Sequence, residues 1–297
     1  MNHYKTLSAV EGLLTIKDAN LIYFDPPYNT GRNFDDFNDK FASTTDYREN
    51  LIRPVIQACF DALHPSGVLV VHVESKISHH IRIVCDDIYG ESNFVNEIIW
   101  KSGGNHHSSK KLQRNHDVII VYAKSKVFTF NPIYEDYSED YLSKCKEDMR
   151  GKYTTSALKN SQPNVIKRPN LRYTWNGHDE QWWCSQSKMQ ILHDDDRLVY
   201  GPSGIPRVKK YIHELKGVPI KDLWTDIPQI QGKEKLNYAT QKPVKLLERI
   251  ITLFSNPNDL VVDPFAGSGV TGRACKNLQR NFMLFDINPK AKEIYEN

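Results

Sequence analysis

Four consecutive residues, Asp25-Pro26-Pro27-Tyr28, put a carboxylate, two prolines and an aromatic ring side by side. They follow directly on Leu21-Ile22-Tyr23-Phe24, a short apolar and aromatic run with the pattern of a buried strand that stops abruptly. Proline fixes its own φ and pushes the preceding residue toward extended geometry, so the pair makes a stiff platform at the strand's carboxyl end. On that platform the Asp25 carboxylate and the Pro26 carbonyl can accept the two N–H groups of an exocyclic amine, while Tyr28 stacks on the ring that carries it. The same four residues also suit an exposed Pro-Pro turn, and nothing local decides between the two.

A second stretch lies near the other end. Leu260 to Asp263 reads as a strand, Pro264-Phe265-Ala266-Gly267-Ser268-Gly269 as a glycine turn, and Val270 onward as a helix. Asp286 and Ile287 close a further apolar strand, Phe282 to Phe285. Strand, glycine turn, helix, strand and acid is the arrangement that lets backbone approach a nucleoside cofactor while the acid takes ribose hydroxyls. The turn departs from the full dinucleotide spacing, because Gly267-Ser268-Gly269 is followed by Gly272.

Taken together, Asp-Pro-Pro-Tyr and Asp-Pro-Phe-x-Gly-x-Gly resemble the motifs of the S-adenosylmethionine-dependent amino-methyltransferases of DNA, the adenine-N6 enzymes in particular. With the catalytic motif first and the glycine loop last, the chain is similar to their β group, which includes the modification subunits of type III restriction systems. Thr240-Gln241-Lys242-Pro243 resembles the motif that precedes the glycine loop, and His116 to Lys124 a late strand of the catalytic half. The resemblance implies a doubly wound, mostly parallel α/β sheet of the Rossmann-like methyltransferase type with an inserted target-recognition region. It implies Asp25, Pro26, Pro27 and Tyr28 as the catalytic set. For the cofactor it implies Asp25, Thr240, Gln241, Lys242, Asp263, Pro264, Phe265, Ala266, Gly267, Ser268, Gly269, Asp286 and Ile287. The helix opened by Pro243, with Lys242 beside its amino terminus, suits a carboxylate, which the resemblance assigns to the methionine part of the cofactor. Double-stranded DNA is the implied partner. Family members are often dimers, and a restriction subunit is a further implied partner; no residue pattern here speaks to either.

The 297 residues can bury a sizeable core and hold one large α/β domain with an insertion. A net charge of +3 is too small to imply nucleic acid by itself, but the basic residues cluster. Residues 101 to 116 carry Lys101, Lys110, Lys111 and Arg114 with no acid; Lys167, Arg168 and Arg172 lie in a second acid-free stretch, and Arg207, Lys209 and Lys210 in a third basic group. These ten are the expected DNA contacts. The five cysteines are odd in number and widely spaced, without a Cys-x-x-Cys pair, so neither a disulfide framework nor a zinc site is indicated. No signal pattern opens the chain and no apolar run reaches membrane-span length, which makes a cytoplasmic setting without membrane contact the expectation.

Helical spacing over Leu51 to Leu63, interrupted at Pro54, predicts a kink or a late helix start there. Val68 to Val73, Val95 to Trp100 and Val118 to Ala123 read as strands, with a helix over Ile77 to Ile88. Residues 1 to 20 carry no motif and read as a short lead-in helix or strand. Phe34 to Phe41 mixes aromatics and acids without a period, as a mobile loop near the active site would. The adjacent pairs His79-His80 and His106-His107 suit surface or phosphate-facing roles better than ligation of one metal. The expected division is a catalytic half at 1–125, a recognition region at 126–218 and a cofactor half at 219–297. In the middle region apolar periodicity is lacking; Trp175, Trp182 and Trp183 suit a small local core or stacking on bases, and Asp194-Asp195-Asp196 a solvated turn or a metal. No metal is expected.

Rival readings stay open. Transfer to cytosine N4 needs the same geometry, although that group usually has Ser where this chain has Asp25. RNA could replace DNA as substrate. An NAD-dependent oxidoreductase would use the glycine turn but leaves Asp-Pro-Pro-Tyr unexplained, and a non-catalytic DNA-binding subunit would have no need of Asp25, Tyr28, Gly267, Gly269 and Asp286 together.

Overall fold

The computed structural model describes residues 2–33, 38–103, 110, 112–162, 168–230, 232–236, 238 and 241–296. The chain divides into a large unit, Met1–Ile133 with Lys221–Asn297, and an inserted unit, Tyr134–Ile220.

The large unit is built on one sheet of eight strands among the described residues. They are β1 (Asn2–Thr6), β2 (Ala19–Phe24), β3 (Leu63–Glu74), β4 (Phe94–Trp100), β5 (Asp117–Ala123), β6 (Leu223–Trp224), β7 (Leu260–Asp263) and β8 (Asn281–Asp286). Their order across the sheet is β1-β8-β7-β2-β3-β5-β4-β6. Every neighbouring pair is parallel except those made by β5, which runs against β3 and β4. Leu21, Ile22, Tyr23 and Phe24 are all buried, as are Val68 to Val71. Strands covered on both faces read in sequence as continuous apolar runs.

Among the described residues the longer α-helices of this unit are α1 (Ala9–Leu14), α2 (Arg53–Ala62), α3 (Ser78–Tyr89), α4 (Val244–Phe254), α5 (Val270–Asn277) and α6 (Pro289–Glu296). The kink or late start expected at Pro54 is not a late start, because the chain is helical without a break from Thr44 and the irregularity is a π-helical stretch just ahead of the proline. Residues Tyr47–Ile52 form a π-helical turn, closed by the Arg53 N–H on the Arg48 carbonyl, and Pro54 sits in the first turn of α2, where a missing N–H costs little. Pro243 caps α4, whose apolar face buries Leu246, Leu247, Ile250, Ile251 and Phe254.

The lead-in at residues 1 to 20 is more than a lead-in. β1 pairs in parallel with β8 and forms a sheet edge, and α1 is held by a capping box of Ser8 and Glu11. Residues 126–133, expected with the insertion, belong to the large unit; there the Asn131 amide donates to the Thr252 and Ser255 carbonyls at the carboxyl end of α4.

The inserted unit has a four-stranded antiparallel sheet in the order Leu198–Tyr200, Pro206–Tyr211, Gly151–Ala157, Lys146–Asp148, with a hairpin of Arg172–Trp175 and His178–Gln181 and a helix at Gln186–Asp194. Trp182 is fully buried against Leu158, Met189 and Leu198, whereas Trp183 is exposed beneath the Arg168 guanidinium and the Trp175 indole donates to the Tyr200 hydroxyl. Trp182 is therefore core, Trp175 is half-buried against that core, and Trp183 is exposed. Among the described residues of the chain no helix is long and apolar enough to cross a membrane.

Candidate active site

From β2 the chain proceeds to β3 on one side, and from β7 to β8 on the other, so the adjacent strands β2 and β7 form the switch point of the sheet. Their carboxyl ends carry Asp25 and Asp263. Ligands of open α/β sheets bind outside such a point, in the crevice left where the connections diverge. Here a cavity of about 390 Å³ lies there, lined by Asp25 to Tyr28 and by Asp263 to Ser268 together. Gln241, Lys242, Asp286 and Ile287 line the same cavity. The two motifs, far apart in sequence, thus face one space.

The glycine turn is held by its own acids. Asp263 is almost fully buried; its carboxylate accepts from the Phe265 N–H at 3.0 Å and from the Thr271 hydroxyl at 2.5 Å. Burial, followed by the charge of Asp25, pushes this carboxyl well above the usual range. Asp286 accepts from the Gly267 N–H and the Asn288 N–H, each at 2.8 Å. Asp286 therefore fixes the turn whatever else it binds. Gly267 has φ +47°, and a Cβ there would meet the Tyr238 ring at 2.8 Å, so backbone and ring approach each other without a side chain between. Gly269 is not among the cavity-lining residues; with φ +74° it caps α5, and a Cβ would strike the Tyr295 ring at 2.2 Å. Its requirement is close packing of the turn on α6.

Around Asp25 the structure departs from the sequence reading. Lys242, expected beside a helix terminus, extends its ammonium to the Asp25 carboxylate at 2.8 Å and to the Tyr28 hydroxyl at 3.1 Å. Burial works against its charge, but Asp25, Tyr28 and Asp117 outweigh that and hold the ammonium well above the ordinary lysine range. Burial likewise pushes the Tyr28 phenol up, against the opposing charge of Lys242. At the start of α4 the Val244 N–H donates to the Glu234 carboxylate at 2.7 Å, so a carboxylate of the chain itself sits where a ligand's was expected. Gln241 ties the backbone of the preceding segment, accepting from the Leu236 N–H and donating to the Glu234 carbonyl. Thr240 lies outside the described residues.

Several residues reach the site without a motif to announce them. Tyr4 on β1 donates to the Gly267 carbonyl at 2.7 Å. Buried Asp39 accepts from the Asn29 and Thr30 N–H groups at 2.6 and 3.0 Å and so pins the loop after Tyr28; residues 34–37 of the loop expected there lie outside the described residues. Beneath the cavity, Tyr23, His72 and Asp117 form a buried chain: the Tyr23 hydroxyl meets His72 Nδ1 at 3.1 Å and His72 Nε2 meets Asp117 at 3.2 Å. Burial, then the Lys242 charge, lower the His72 pKa. Burial tends to raise the Asp117 carboxyl, but the hydrogen bond and charge of His72, then Lys242 and Ser102, hold it below the usual range. A neutral imidazole facing an ionised carboxylate donates from Nε2, so Nδ1 accepts from Tyr23. Residues 1 to 20 were expected to carry no motif, yet the Ser-x-x-Glu spacing of Ser8 and Glu11 is a capping-box signal that marks Ser8, Ala9 and Val10, which also line the cavity.

The expected DNA contacts fare unevenly. Lys209 is buried and its ammonium is shared by Asp148 and Asp196 at 2.9 and 3.0 Å, which makes it an internal tie of the inserted unit and not a free phosphate contact. Arg172 pairs with Asp179 and Arg114 with Glu74, both at the surface. Arg207, exposed, donates to the Thr155 hydroxyl and carbonyl; Lys101, Lys110 and Lys210 are exposed, as is Arg168 over Trp183. Lys111, Lys167 and the pair His106-His107 lie outside the described residues. Of the triple acid, Asp195 pairs with Arg150 and Arg197 and Asp196 with Lys209, while Asp194 accepts from the Gln190 side-chain amide.

A doubly wound sheet thus sets Asp25 to Tyr28 and the glycine turn on one cavity, in the place where such sheets bind their ligands. Comparison with known proteins makes this specific. A family model described as DNA methylase, of the N6/N4 class, matches residues 19–297, and the chain belongs to that family. It is 28% identical over 289 residues to the type II methyltransferase M.EcaI of Enterobacter cloacae, covering 91% of this chain and 62% of that protein. It is 25% identical over 321 residues to the type III restriction-modification enzyme StyLTI Mod subunit of Salmonella typhimurium, covering 91% of this chain and 49% of that one. The chain thus spans between half and two thirds of the length of these curated relatives. Among solved structures it is similar in fold to M1.HpyAVI in complex with SAM, with TM-score 0.54, 19% identity and 100% and 98% of the two chains covered. It is similar also to the cytosine-N4-specific PvuII DNA methyltransferase, with TM-score 0.53, 16% identity and 99% and 91% covered.

Proposed function

We propose that this chain transfers a methyl group from S-adenosylmethionine to the exocyclic N6 amine of adenine in duplex DNA, acting on a base turned out of the helix. The observation that carries the reading is the single cavity shared by Asp25-Pro26-Pro27-Tyr28 and the Asp263 to Ser268 turn. Membership of the N6/N4 DNA methylase family supports it, and Asp25, where cytosine-N4 enzymes usually have Ser, favours adenine.

The residues present fit the cofactor. Gly267 leaves bare backbone at the cavity wall, and Asp263, Phe265, Ala266, Ser268, Asp286 and Ile287 surround it. The cofactor supplies a methyl group on a sulfonium, already activated, so the chain need form no covalent intermediate. What the chain supplies is alignment. An exocyclic amine has its lone pair delocalised into the ring; hydrogen bonds from its two N–H groups to the Asp25 carboxylate and Pro26 carbonyl favour a more pyramidal, more nucleophilic nitrogen. Asp25 positions the amine and then accepts the proton that the nitrogen loses, passing it to water. Tyr28 stacks on the base. Extruding a base costs a few kcal/mol, and stacking on an aromatic ring returns on the order of 1 to 3 kcal/mol, so this ring offsets much of the cost. Exposed Lys101, Lys110, Arg168, Arg207 and Lys210, with Arg114 and Arg172 at the surface, are the phosphate and base contacts of this reading. A restriction subunit and a second copy of the chain are its proposed partners.

Incubation with labelled S-adenosylmethionine and DNA of mixed sequence, followed by digestion to nucleosides, tests the proposal. N6-methyldeoxyadenosine is expected. Label in N4-methyldeoxycytidine would move the assignment to the other amine, and no label in DNA would end it.

A further inference from the structure

One of the two acceptors that the proposed reaction gives to the target amine, the Asp25 carboxylate, is already taken by another nitrogen. The Lys242 ammonium sits 2.8 Å from Asp25 Oδ2 and 3.1 Å from the Tyr28 hydroxyl, with its charge 5.3 Å from the Tyr28 ring centre. The pair is secluded, the two side chains being 12% and 18% exposed. We infer that Lys242 is a specificity-determining residue of the methylation, which rests on the proposed function: its ammonium competes with the base amine for Asp25 and selects an amine that offers two N–H groups, which the substrate has and the product lacks.

An unmethylated amine can serve both acceptors of the platform, Asp25 and the Pro26 carbonyl, and so replace Lys242 on the carboxylate. Once methylated, the nitrogen keeps one N–H and can serve only one of them. Both nitrogens bond an ionised carboxylate, but the ammonium adds the attraction of a full opposite charge in a secluded site, so once the base holds a single N–H the ammonium regains Asp25 and the product base is expelled. The same exchange denies the product a second methylation. Lys242 does not itself become a substrate, because an ammonium has no lone pair to offer; Asp25, Tyr28 and Asp117 outweigh burial in keeping it protonated. The competing residue is thus held in the one protonation state that lets it occupy the amine's place without reacting there.

The test uses the whole chain, once its recognition sequence has been read from the sites it modifies. Duplexes carrying adenine or N6-methyladenine at the target are titrated with wild type and with Lys242→Met and Lys242→Arg. Wild type should bind the unmodified duplex more tightly by roughly tenfold, the scale of one charge-assisted hydrogen bond. Lys242→Met should lose most of that preference, and Lys242→Arg, which keeps a cation, should retain part of it. The ratio of steady-state to single-turnover rate should also fall in Lys242→Met, and N6,N6-dimethyladenine should appear in its digests. Equal wild-type affinity for the two duplexes would overturn the inference even if the Met variant failed to fold, as would an unchanged preference and rate ratio in that variant. A wild type that methylates no DNA would instead remove the proposed function beneath it.

Discussion

The two units of this protein reach stability by different means. In the large unit the central strands of the sheet are covered on both faces and read as apolar runs, so cohesion comes from hydrophobic burial and the polar residues at the strand ends are left for chemistry. In the inserted unit the strands are short and polar. Its buried cluster holds Leu158, Trp182, Met189 and Leu198, and around it charges are tied in pairs: Lys209 to Asp148 and Asp196, Arg197 to Asp195 and Glu214. A segment that needs an exposed polar surface cannot also bury a large apolar face. It therefore leans on a few large side chains and on ion pairs, and a basic residue in it can be a strut as readily as a contact.

The contrast can be tested from its strongest consequence to its weakest. Asp25→Ala should remove turnover, by roughly 10²- to 10⁴-fold or more, while cofactor binding measured by calorimetry stays near wild type; substantial methylation by this variant would detach chemistry from the strand end. Gly267→Val should abolish cofactor binding, since a side chain at φ +47° is strained and its Cβ meets the Tyr238 ring at 2.8 Å. Trp182→Ala should destabilise the inserted unit by about 3–5 kcal/mol while the large unit still binds cofactor. A single cooperative transition lost as a whole in thermal unfolding would show that the inserted unit does not unfold by itself.

Smaller effects separate strut from contact. Lys210→Met should reduce the salt dependence of DNA binding by about one unit of slope, whereas Lys209→Met should lower stability and leave the slope alone. A reduced slope in the Lys209 variant would make the buried pair a contact after all. The smallest effect concerns pH. Burial, with the charge of Lys242, sets the folded-state pKa of His72 below its ordinary 6.5, so the unfolded chain binds the proton more readily. Stability from this group is full above pH 6.5 and is lost as pH falls through the lowered value. Denaturant titrations should show a steeper acid-side loss in wild type than in His72→Asn; equal slopes would contradict a neutral buried imidazole.

Local pattern alone determined much of this protein: the strands at Leu21–Phe24 and Val68–Val73, the amphipathic helix opened by Pro243, the helical irregularity next to Pro54, and the two turns that carry the acids and glycines. Each is legible because proline, glycine and apolar period act over a few residues. The inserted strands were hidden because their burial is partial and their pairing distant. Only the tertiary structure decided that β1 would bring Tyr4 to the Gly267 carbonyl, that His72 and Asp117 would meet under Tyr23, and that Lys242, just ahead of α4, would reach Asp25. Those contacts join residues from different strands and loops across the switch point, and no periodicity encodes which side chains a folded sheet will set face to face.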